Sequence, residues 1–144
     1  MFPFSITFRQ KTNIAITEDN KQKLFENIKS LLSKHYASNI KISPAELSFT
    51  TKFFEIAWGI NLDVLSPIDK GIFMIEGKED KINLSYTFYI YKLLFIALMF
   101  SILFALIDSS LLVGLICFIV LGILNWLIAV ARQWFLLKQI AKSK

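Results

Sequence analysis

Cysteine and histidine are almost missing from this chain. Among 144 residues there is one cysteine, Cys117, and one histidine, His35. A lone cysteine closes no intrachain disulfide, and the two residues together supply too few ligands for a zinc site. Glycine is scarce too: the five glycines are scattered, so no phosphate-cradling loop can be built from them. No serine sits in a strand–turn–helix elbow of the kind that exposes a nucleophile. His35 lies at the edge of an apolar helical stripe beside Tyr36, where a structural role is expected. Asp63 and Asp69 bracket a loop with Ser66 and Pro67, which reads as a capped or solvated turn rather than a cation site. Glu76, Glu79 and Asp80 with Lys78 and Lys81 read as a solvated hairpin tip. The sequence therefore predicts no catalytic residues, no cofactor and no metal.

Charge is missing from the last third. Residues 90–107 hold one charged side chain, Lys92, and residues 111–130 hold none. A helix needs about 20 apolar residues to cross a hydrocarbon core of roughly 30 Å, and both runs come close to that length. Asp108, Ser109 and Ser110 lie between them and leave room only for a tight reversal. The pattern predicts an α+β membrane protein ending in a two-helix transmembrane hairpin. Its first span would cover 90–107, its external turn 108–110 and its second span 111–131, with a basic amphipathic tail over 132–144.

The remaining charges predict orientation. Residues 1–91 carry eleven Lys/Arg against ten Asp/Glu, whereas 92–144 carry five against Asp108 alone. The surplus thus sits at the ends of the spans: Lys92 before the first, then Arg132, Lys138, Lys142 and Lys144 after the second. The connecting turn has no basic residue. The positive-inside rule then places both termini in the cytoplasm and Asp108 outside. A basic face on the soluble part, which nucleic-acid binding needs, is not visible, so nucleic acid is not an expected partner. The segment from Met1 to Arg9 lacks the charged and apolar regions of a cleavable signal peptide. Apolar content of 55% and a mean hydropathy of +0.55 agree with this division. The excess of Lys, Ile, Asn and Phe over Arg and Ala points to an AT-rich bacterial genome, and hence to a bacterial inner membrane.

Residues 1–89 read as a cytosolic α+β domain. Phe2, Phe4, Ile6 and Phe8 alternate with polar residues, the period of a strand with one buried face. Ile14 and Ile16 extend it after a bend near residues 11–13. Thr17 is a plausible N-cap, with Glu18 and Asp19 suited to the positive end of a helix. Leu24, Phe25, Ile28, Leu31, Leu32 and Tyr36 then repeat at helical spacing, which predicts an amphipathic helix over about 18–36. Strands are expected around Ile40 and Ile42, around Leu47 and Phe49, and over 56–64. Two more, 72–76 and 81–88, should pair across a turn at residues 77–80. One helix covering one face of an antiparallel sheet is the economical arrangement.

The candidate interaction residues all lie in or beside the spans. Tyr89, Tyr91, Trp126 and Trp134 suit the headgroup level, with Lys92 and Arg132 reaching the same level. Ala97, Ser101 and Ala105 recur every fourth residue, and Gly114 and Gly122 share a face. Small residues at that spacing let helix backbones approach, either within the hairpin or against another protein's helix or a second copy. Asn125 is the strongly polar side chain of the second span. Its amide needs a backbone carbonyl, an interfacial water or a partner subunit.

The expected partners are membrane lipids and either another membrane protein or further copies of this chain. The leading functional expectation is a non-enzymatic accessory or scaffold subunit of an inner-membrane assembly with a cytosolic interaction domain. One alternative is a self-assembling channel or membrane-permeabilising effector gated by that domain. Another is a membrane-tethered lipid or ligand sensor.

Overall fold

The computed structural model describes residues 5–35, 37–51, 65, 68–78 and 81–142. Phe2, Phe4, Tyr36, the alternating segment 56–64 with Trp58, Asp63, Ser66, Pro67, Glu79, Asp80 and Lys144 lie outside them. Within the described residues the chain is α+β. Five strands, β1 (Ser5–Ala15), β2 (Ser38–Ile42), β3 (Glu46–Thr50), β4 (Lys70–Lys78) and β5 (Lys81–Tyr89), form an antiparallel sheet in the order β1-β5-β4-β3-β2. The helices are α1 (Glu18–Lys34), α2 (Lys92–Ile107), α3 (Leu111–Phe118) and α4 (Asn125–Lys142).

The alternation in the sequence sets the faces of the sheet. Opposite Tyr86 on β5 stand Phe8 on β1 and Phe73 on β4; opposite Leu84 stands Ile75, and opposite Phe73 stands Leu47 on β3. A strand turns alternate side chains to opposite faces, so these residues share one side. Phe73, Tyr86, Phe88, Leu47 and Leu84 are all fully buried. The other side is mostly polar, with Ile72, Met74 and Tyr89 among its residues, and the Thr7 and Thr87 hydroxyls are hydrogen-bonded across the strands at 2.8 Å. Tyr86 and Phe73 stack with ring centroids 4.1 Å apart and planes within 7°. Gly71 lets the Phe49 ring lie on β4, since a Cβ there would meet that ring at 2.2 Å. At the bend in β1 the pairing register shifts between Lys11 and Ala15. There Thr12 turns inward and its hydroxyl donates to the Ile82 carbonyl at 2.8 Å.

Helix α1 begins where Thr17 caps it, its hydroxyl accepting from the Asn20 N–H at 3.2 Å. Glu18 and Asp19 occupy the first turn. It ends at Lys34, earlier than the expected 36, because His35 takes the C-cap position and its N–H bonds back to Leu32. Leu24, Phe25, Ile28 and Leu32 face the sheet.

A second helix covers the same face. The expected single covering helix is therefore corrected to two. Ala129, Leu136, Leu137 and Ile140 of α4 belong to the same core as the α1 residues. Of the two places open to the basic amphipathic tail, the membrane surface and the α+β domain, residues 132–142 take the second and continue α4 onto the sheet. Gln133 is fully buried and its Oε1 accepts from the Tyr86 hydroxyl at 3.0 Å. Burial pushes the Tyr86 phenol well above its ordinary pKa, so it remains a donor. The bond ties α4 to the centre of the sheet.

Removing that hydroxyl with Tyr86→Phe keeps the ring stack and breaks the tie. A net loss of about 1 kcal/mol is expected. It should appear as a lower denaturation midpoint with an unchanged slope for the full chain in mild detergent.

Candidate functional site

The connection between sheet and apolar helices is built around Asp69. The backbone leaves β5 at Tyr89, buries Ile90 completely in the core beneath the sheet and enters α2 at Lys92. Two residues of the first apolar run therefore serve the domain, which corrects the expected start at residue 90 to Lys92. The Asp69 side chain is fully buried here. Its Oδ2 accepts from the backbone N–H groups of Tyr91 at 2.5 Å and Lys92 at 3.1 Å. Helix N-terminal N–H groups have no partner within the helix, and a carboxylate both satisfies them and complements the positive helix end.

Lys92 completes the arrangement. Its ammonium lies 3.4 Å from Asp69 Oδ1 and donates to the Thr51 carbonyl and hydroxyl, each at 3.2 Å. The Thr51 hydroxyl in turn donates to the Ile68 carbonyl. Lys92 was expected to reach the headgroup level. Its ammonium points into this junction, where Asp69 supplies the counter-charge and Thr51 the hydrogen-bond acceptors. Asp69 is the residue that sequence reasoning undervalued. The available signal was charge pairing: a single lysine at the mouth of an apolar helix calls for an acidic partner.

The two apolar helices pack against each other. The chain turns at Asp108–Ser110, where Ser109 adopts a left-handed conformation with φ of 50°. Ala97 and Ser101 are buried on α2 and Gly114 on α3. A Cβ on Gly114 would lie 2.7 Å from the Ala105 Cβ and 2.8 Å from the Ser101 carbonyl oxygen. A Cβ on Gly122 would lie 3.3 Å from that of Ala97. These pairings run in opposite directions along the two helices, so the pair is antiparallel and the small residues of one meet those of the other. The Ser101 hydroxyl donates to the Ala97 carbonyl at 2.6 Å. The small-residue faces are therefore occupied within the chain, and a partner helix would have to use another surface.

Helix α3 passes into α4 through six residues of π-helix, Ile119–Leu124, so that 111–142 is continuous over 32 residues. Asn125 follows the π turn and is exposed. Its amide donates to the Leu121 carbonyl at 3.0 Å and approaches that of Val120 at 3.5 Å. Trp126 and Trp134, expected at the headgroup level, are half-buried against the core of the sheet and its covering helices. The Trp134 ring meets Phe8 edge-on with centroids 5.1 Å apart. Tyr89 pairs in the sheet with Ser5 and Lys70. Tyr91 is 51% exposed, and Arg132 is half-buried on α4. Helix 111–142 is long and apolar enough to cross a membrane, with a mean hydropathy of 2.7 over its most apolar stretch; α2 is a shorter apolar helix.

Comparison of the chain with protein-family models, with curated proteins and with solved structures finds no match. The functional reading therefore stands on the geometry.

Three substitutions test these contacts. Asp69→Ala leaves two helix N–H groups without their acceptor and the Lys92 ammonium without its counter-charge, a loss of about 3–5 kcal/mol. Amide exchange at Tyr91 and Lys92 should accelerate with it. In the helix pair, Gly114→Ala should destabilise by about 1–3 kcal/mol through the backbone clash. Gly122→Ala should be close to neutral, since its contact is looser and alanine favours the helix by about 1 kcal/mol. Thermal unfolding of both variants in the same detergent measures the difference.

Proposed function

We propose that this chain is a small non-enzymatic integral membrane protein of a bacterial inner membrane. In this reading it is an accessory or scaffold subunit. Its α+β domain faces the cytoplasm, and its apolar helices enter the bilayer, turn at Asp108–Ser110 and return. The observation that carries the reading is where the exposed apolar side chains lie. Among the described residues, all but four of the large ones, the exceptions being Ile42, Met74, Tyr91 and Phe135, fall between Phe95 and Ile128. A monomer in water rarely exposes a continuous apolar patch beyond a few hundred Å². Here Phe95, Leu98, Phe104, Ile107, Leu111 and Leu115 are each 41–89% exposed, and their neighbours along the same helices share the pattern.

Lipid suits this belt better than water does, and the charge pattern agrees. Between Lys92 and Arg132 the one charged side chain is Asp108, at the turn. The 32-residue helix exceeds the length needed for a span of roughly 30 Å. Helix α2 has 16 residues, about 24 Å at 1.5 Å each. The bilayer accommodates a short span by local thinning or by interfacial side chains at its ends. The basic residues lie on the side of the soluble domain, which favours a cytoplasmic orientation for it.

A scaffold role is supported by the construction of the junction. The domain is joined to the helices twice, at Asp69–Lys92 and through α4, and neither joint contains a flexible linker. Such a domain presents its polar sheet face at a fixed attitude to a partner on the bilayer, which is what a docking subunit requires.

Alkaline carbonate should leave the protein in the membrane pellet, and tags at both ends should be accessible from the cytoplasmic side alone. Crosslinking in native membranes followed by mild-detergent purification should recover a defined larger partner. A chain released by carbonate, or termini labelled from opposite sides, removes the hairpin. A ladder of self-crosslinked species replaces the accessory subunit with a self-assembling protein.

A further inference from the structure

We infer that the cleft between β1 and the C-terminal end of α4 binds a small, soluble, phosphate-bearing anion. The cleft measures about 280 Å³ and is lined by Gln10, Lys11, Asn13, Lys138, Ala141 and Lys142. Three of the six side chains are cations, two are amides with N–H donors, and none is a carboxylate. Phosphate is the ligand that this donor set fits: lysines bind it as point charges, and amides add neutral donors. The volume lies just below the roughly 300–1,000 Å³ of drug-sized sites, which suits a ligand as small as a phosphomonoester or diphosphate.

The lysines are collected there by the fold. Lys138 and Lys142 lie one helical turn apart on the last part of α4. Lys11 arrives at the bulge of β1, just before Thr12 turns inward to Ile82. The Lys138 ammonium is held 5.0 Å above the Trp134 ring, and Trp134 is fixed edge-on against Phe8. Neither Lys138 nor Lys142 forms an ion pair among the described residues.

Position selects a soluble ligand over a lipid headgroup. From the Ser5–Tyr89 pair beside the apolar helices to the Lys11–Asn83 pair is six residues, about 20 Å along a strand. From Trp126 to Lys138 and Lys142 is about 18 and 24 Å along a helix. Both routes place the cleft about 20 Å beyond the start of the apolar helices. The site itself is independent of the membrane reading; the choice of source rests on it.

The full chain in nanodiscs of phosphatidylcholine is titrated with inorganic pyrophosphate by calorimetry, with tryptophan emission followed in parallel. Saturable binding that weakens with salt is expected, together with an emission change lost in Trp134→Phe. The double variant K138Q/K142Q should bind at least tenfold more weakly, whereas K29Q/K41Q should bind as the parent does. No binding at millimolar pyrophosphate, or equal affinity in K138Q/K142Q, overturns the site. Nanodiscs containing phosphatidylglycerol form the second arm. Unchanged pyrophosphate affinity there supports a soluble ligand, and its abolition assigns the site to a headgroup and overturns the soluble one. Carbonate extraction of the same preparation is scored separately, so that loss of the membrane reading and loss of the site are told apart.

Discussion

Asp69 carries a charge into the interior at the one place where the sheet hands the chain to the apolar helices. Three groups converge on it: two backbone N–H groups of the α2 start donate to its Oδ2, and the Lys92 ammonium stands 3.4 Å from its Oδ1 as counter-charge. Isolated burial of a carboxylate is costly, and the cost is offset only while all three groups stay in place. That condition fixes the first turn of α2, sets the end of β5 and holds Thr51 at the end of β3. The attitude of the apolar helices relative to the sheet follows from it. Tyr86 and Gln133 hold the other end of the same frame, from α4.

The periodic parts of this architecture are legible in the residues themselves. Alternation at Ile6 and Phe8, and again at Ile82, Leu84, Tyr86 and Phe88, gives strands with one buried face. Helical spacing from Leu24 to Leu32 with Thr17 ahead of it gives α1. Even the bend in β1 is written in Lys11–Asn13, where alternation stalls. The spacing of Ala97, Ser101 and Ala105 shows a helix-packing face, and the structure fills it with Gly114 and Gly122.

What periodicity cannot show is the neighbour a face will choose. The apolar stripe of α4 at Ala129, Leu136, Leu137 and Ile140 is equally suited to a headgroup region or to a protein core. Long-range geometry, a sheet face too wide for α1 alone, decides for the core. Lys92 is ambiguous for a related reason. A lysine at the end of an apolar helix reads as an interfacial anchor unless a buried carboxylate from a distant loop is known to stand beside it. Asp69 is 23 residues away in sequence, and no local pattern joins the two. The π turn before Asn125 is equally hidden, though it matters for α4. Each π turn takes up one more residue than an α turn and rotates the following face by about 100°. Gly122 can then look toward α2 while Ala129 and Gln133 look toward the sheet.

A globular head hung from a bilayer by a single strand of chain can swivel about it. On the membrane reading proposed above, this head has two stiff supports, one entering from β5 and the other rising unbroken from the turn at Ser109 into the sheet core. Paired supports resist torsion, so in that reading a tilt of the helix pair becomes a tilt of the head. A change in bilayer thickness that tips the shorter helix would then be felt as a rotation of the Thr7–Thr87 surface, with no hinge among the described residues of the two joints to absorb it.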